Sequence, residues 1–62
     1  MTPILGQAGR LRGYLLEDST TIKLLSAGGT VLAIYLKNDD ITVSPGNSFV
    51  GYGNQLMSLL ED

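Results

Sequence analysis

Two stretches of this chain share one plan, and that plan leaves few folds open. Ile22–Tyr35 reads as an apolar segment, the turn Ala27-Gly28-Gly29, and a second apolar segment. Ile41–Tyr52 repeats it around Pro45-Gly46-Asn47, one residue shorter before the turn. Arg10–Tyr14 matches the second half of an earlier copy. In that alignment Gly13, Ala33 and Gly51 coincide, and so do Tyr14, Ile34 and Tyr52. A small residue followed by a bulky one predicts a close backbone approach beside a packing side chain.

The halves of each copy are rich in Val, Ile, Thr, Tyr and Phe and are bounded by turn residues, which is strand chemistry. Strands are expected near Arg10–Leu16, Thr21–Leu25, Thr30–Leu36, Asp40–Ser44 and Ser48–Tyr52. The two glycine turns supply the fixed and positive φ that tight hairpins need. Glu17-Asp18-Ser19 and Lys37-Asn38-Asp39 read as solvated connections. Connections this short join antiparallel neighbours. The expectation is therefore a mainly β, five-stranded antiparallel meander or barrel forming one domain. Residues 1–8 form an N-terminal arm without a readable period, 9–53 the hairpin repeats and 54–62 a C-terminal segment. That last segment predicts a short helix, because Asn54 is a good N-cap and Leu56, Met57, Leu59 and Leu60 share one helical face.

Alternation along Thr30–Leu36 puts Val31, Ala33 and Tyr35 on one side and Leu32, Ile34 and Leu36 on the other. Both sides are apolar, so the strand needs cover twice, from its own chain curled into a barrel or from another chain. At 62 residues there is little material for the first solution. Chains this small usually add disulfides, a metal or oligomerisation. With no Cys and no His, disulfides and the usual structural zinc sites are excluded. Apolar residues make up 44% and charged residues 16%, which also favours association over a fully self-contained core. The expected interface residues are Val31, Leu32, Ile34, Tyr35 and Leu36, with Leu56, Met57, Leu59 and Leu60 of the tail.

Little in the sequence supports catalysis. The Ser-His and Cys-His nucleophile arrangements are unavailable. The carboxylates fall in adjacent pairs, Glu17-Asp18, Asp39-Asp40 and Glu61-Asp62, and neighbours in a strand diverge to opposite faces. Asn38-Asp39-Asp40 lacks the spacing of a calcium loop, and the glycines fit no phosphate-binding motif. Neither a metal nor a cofactor is expected. Arg10, Arg12 and Tyr14 stand at i, i+2, i+4, which offers charge for phosphate and a ring for a base. The net charge of −2 argues against nucleic acid as a partner. The alternative use of those residues is edge protection and packing. The longest apolar run, Val31–Leu36, is too short to span a membrane, and the start lacks the features of a signal peptide. Synthesis in the cytoplasm is the expected setting.

The G-x-x-x-G-Y pattern of Gly9–Tyr14, looser in Asn47–Tyr52, resembles small glycine-turn β-hairpin repeat proteins, the β-flower proteins, and pieces of short bacteriophage structural proteins. The middle copy departs from it, with Ala33-Ile34 in place of Gly-Tyr. The resemblance implies a symmetric homo-oligomer acting as a structural or virion decoration component alongside other structural proteins, with no cofactor and no catalytic residues. Two further readings stay open: a small nucleic-acid-binding regulator using Arg10, Arg12 and Tyr14, and an inhibitor or adaptor that caps another protein.

Overall fold

The computed structural model describes residues 1–60, Leu60 by its backbone alone. It contains β1 (Thr2–Leu5), β2 (Leu11–Glu17), β3 (Thr21–Ser26), β4 (Val31–Leu36), β5 (Ile41–Val43) and β6 (Phe49–Tyr52). These form one antiparallel sheet in strictly sequential order, the meander that the short connections dictate. Three expectations need correction. The sheet has six strands, because the N-terminal arm supplies β1, whose Thr2 and Ile4 stand opposite Leu15 and Gly13. Four residues containing a proline are too few to display a period, so only the pairing reveals the strand. The sheet is open rather than a barrel, since β1 and β6 do not pair with each other. The tail forms no α-helix; Met57–Leu60 is one 3₁₀ turn. So short a segment cannot sustain an α-helix by itself. Asn54 nevertheless behaves as a cap, its Oδ1 accepting the Leu56 N–H at 3.0 Å.

The repeat is real and threefold. Loops 6–10, 26–30 and 44–48 each close with a hydrogen bond from the first N–H to the last carbonyl, at 2.7, 2.7 and 2.8 Å. In each, the fourth residue has positive φ: Gly9 (73°), Gly29 (92°) and Asn47 (66°). In the proline turn the left-handed position thus belongs to Asn47 and not to Gly46, and asparagine tolerates that region better than most side chains. Ser26 and Ser44 brace their own loops, each Oγ accepting the N–H of Thr30 or Ser48. Beyond each loop the register slips by one residue, leaving Arg12, Leu32 and Val50 as the extra residues of β-bulges. The residue after each bulge is small, Gly13, Ala33 or Gly51, and the next is Tyr14, Ile34 or Tyr52.

Residues opposite one another in antiparallel strands share a face. Following the pairings, Gly13, Leu15, Leu24, Ala33, Tyr35, Thr42 and Gly51 lie on one side of the sheet. The bulge at Leu32 moves Val31 to the other side, opposite Leu25, so simple alternation along β4 assigns Val31 wrongly. The first side holds the main core, where Leu24, Ala33 and Leu56 are fully buried against Ile4, Leu15, Ile22 and Tyr35. Gly13 is obligatory there: a Cβ would stand 2.3 Å from the Leu25 carbonyl oxygen. A Cβ on Gly51 would meet the Gln55 side chain at 3.1 Å, so the missing side chain makes room for the returning tail.

Candidate functional site

The tail is held by a threonine. Thr42, wholly buried, donates its hydroxyl hydrogen to the Gly53 carbonyl at 2.7 Å and accepts the Gln55 N–H at 2.9 Å. Gln55 Nε2 donates to the outward carbonyl of Tyr52 at 2.7 Å. These bonds turn the chain off the edge of β6 and drop Leu56, 1% exposed, into the core. The first side of the sheet is thereby covered.

The second side has no such cover. It carries Tyr14 and Leu16 from β2, Leu25 from β3, Val31, Ile34 and Leu36 from β4, Ile41 and Val43 from β5, and Phe49 and Tyr52 from β6. The main contacts between elements are those of neighbouring strands. Its centre is nevertheless buried, with Leu25 and Val43 at 9% and 5% exposure. Toward β6 it opens: Phe49 is 56% and Tyr52 79% exposed, their rings edge to face with centroids 5.0 Å apart. Lys23, half-buried between Leu16 and Ile34, is the one charged side chain within this apolar field.

Of the residues expected at an interface, Val31, Ile34 and Leu36 meet on this face, and Leu32 projects from the neighbouring bulge. Tyr35 lies on the covered side, its hydroxyl donating to Asp40 Oδ1 at 2.5 Å. That bond raises the phenol's pKa above its ordinary value of 10.0. Leu56 is consumed inside the fold, whereas Met57 and Leu59 are exposed; the Leu60 side chain and the Glu61-Asp62 pair lie outside the described residues. Alternation within β2, β3 and β5 would have added Leu16, Leu25 and Val43 to the expected face. No sequence signal marks Thr42 as a clasp, because its partners Gly53 and Gln55 reach it only through the fold.

Arg10 and Arg12 do come together, with Gln7 and Ala8, around a half-open depression of about 350 Å³. Tyr14 is not part of its wall; the bulge at Arg12 interrupts the alternation that would align all three. Glu17-Asp18 and Asp39-Asp40 lie at turns. Asp18 accepts the backbone N–H groups of Thr20 and Thr21 and the Thr21 hydroxyl, which lowers its pKa from 3.8 to about 2. Lys37 Nζ joins Glu17 Oε2 and the Asp18 carbonyl, each at 2.7 Å, tying two turns at one end of the sheet. Among the described residues no three metal-ligating side chains converge, and no helix is long and apolar enough to cross a membrane. The chain matches no protein-family model, no curated protein and no solved structure.

Proposed function

We propose that this chain is a non-enzymatic assembly module that joins copies of itself through the face carrying Tyr14, Ile34 and Tyr52. One observation carries the reading: the sheet is apolar on both sides, the chain's own tail lies on one, and the other exposes Phe49 and Tyr52 at its β6 end. A stable domain ordinarily needs two packed layers around a core. The exposed aromatic pair beside that apolar face supplies a surface against which a second layer can pack, and exposed apolar patches mark interaction sites. The resemblance to hairpin-repeat and bacteriophage structural proteins favours a virion setting, as a decoration or tail piece among other structural proteins.

The test is the solution mass of the purified chain by light scattering on a sizing column across a dilution series. A discrete multimer is expected, and Tyr52→Asp and Ile34→Asp should each lower its mass toward the monomer. Tyr52 is so exposed that its replacement leaves the fold intact, so a smaller folded species reports lost contact rather than unfolding. A wild-type chain that stays monomeric at every concentration refutes the proposal.

A further inference from the structure

The stretch from Ile41 to Leu60 holds no charged side chain; the six acidic and four basic residues all lie outside it. It forms β5, the edge strand β6 and the described part of the tail. Edge strands are ordinarily guarded by charge, lysine above all, and β6 has none. Exposed large apolar side chains gather at the same place: Phe49, Val50 and Tyr52 on the strand, Met57 and Leu59 just beyond it. A second copy approaching this edge meets neither like charge nor a charged group to strip of water.

The tail supplies the reason for such an approach. Between the end of β6 at Tyr52 and the buried Leu56 stand only Gly53, Asn54 and Gln55. Gly53 is the pivot, at φ 71°, a region that glycine enters freely. Its N–H donates to the Asp40 carbonyl at 2.7 Å, which fixes the pivot beside β5. Beyond it, Gln55 gives its N–H to Thr42 and Leu56 packs with Leu24 and Ala33. The occupant of this groove is therefore shown: a Gln-Leu pair delivered from the edge of β6. A second copy carries the same pair on the same pivot. When two copies meet at β6, each tail lies within one turn of its pivot from the other groove. Exchange keeps the tail's contacts and alters the connection alone, and short connections favour it.

Building on the self-association reading, we infer that two copies exchange tails across apposed β6 edges, each seating Leu56 in the core of the other. The exchange is reciprocal, so the contact is isologous and closes at two chains. Each core is completed by a residue of the second copy. Phe49 and Tyr52, exposed in the single chain, lie where the two connections cross.

The chain has no cysteine, so an introduced pair reports one contact alone. A Cβ on Gly51 stands 3.1 Å from Gln55 Cγ, the place a cysteine sulfur at 55 would take, and that separation lets two sulfurs bond. The experiment oxidises Gly51→Cys/Gln55→Cys in the full chain and compares its native mass with its mass after denaturation without reductant. A native dimer whose doubled mass survives denaturation, with no free thiol and with neither single variant giving it, is the expected result. A native dimer that falls to single, internally bridged chains overturns the exchange and leaves self-association standing. A single-chain mass under native conditions, in this variant and in wild type, overturns both readings together. Dissociation on dilution gives a second readout that needs no bridge. Exchanged chains part only when a tail leaves its groove, so Thr42→Val should speed dissociation by about tenfold or more. A rate unchanged by Thr42→Val overturns the exchange.

Discussion

Replacing Thr42 with valine keeps the shape of the side chain and removes the hydroxyl that clasps the tail. If the tail stays in place, the Gly53 carbonyl and the Gln55 N–H each lose a partner inside the protein. An unsatisfied buried group costs about 1–3 kcal/mol, so the pair would cost roughly 2–6. A second route limits the loss. The tail can leave the sheet, returning both groups to water while exposing Leu56, whose full burial stabilises by about 1.5–3 kcal/mol. The protein takes the less costly route, so Thr42→Val should destabilise by about 1.5–3 kcal/mol. Thr42→Ser keeps both hydrogen bonds and removes one methyl group, at about 1 kcal/mol. In a domain of this size each kcal/mol moves the melting temperature by about 4–8 °C. Thermal melts by circular dichroism at one fixed, low concentration should therefore rank wild type, then serine, then valine, with valine down by about 6–24 °C. Amide exchange at Gln55 and Leu56 should accelerate in the valine variant before the rest of the sheet opens. Leu56→Ala added to Thr42→Val should cost less than it does alone, because both act through the same tail. A valine variant as stable as wild type, with unchanged exchange in the tail, would refute the clasp.

Gly13→Ala forces a Cβ against the Leu25 carbonyl oxygen and should destabilise by about 3 kcal/mol or more, whereas Gly46→Ala, with open space at its Cβ, should stay within about 0.5 kcal/mol in the same melts. Asp18 has a folded pKa of about 2 against 3.8 when unfolded, so its contribution is present above pH 3.8 and is lost as pH falls through about 2. Acid unfolding curves should show that loss in wild type and a weaker pH dependence over the same window in Asp18→Asn. Tyr35 has the opposite sign: its raised folded pKa makes its contribution complete below the unfolded value of 10.0 and lost as pH rises beyond it. Tyr35→Phe should flatten stability above pH 10.

The loops, the small-then-bulky pairs and the sequential antiparallel order were legible in the sequence because each depends on local chemistry. Glycine or asparagine must stand where φ is positive, Gly13 must stand where two strands nearly touch, and short connections can join only neighbouring antiparallel strands. The apolar doubling of β4 was equally readable. Tertiary structure decided what depends on register and on distant partners. One extra residue at Leu32 carried Val31 to the opposite face, a shift that no local pattern announces because it is set by pairing with Leu25. β1 became a strand through β2, since four residues hold too little pattern to declare themselves. The tail's four apolar residues suggested a helical stripe, yet the hydroxyl of Thr42 and the space above Gly51 selected Leu56 alone for the core. Spacing along the chain governs which side chains leave a strand together; the strand across the sheet governs which of them end up buried.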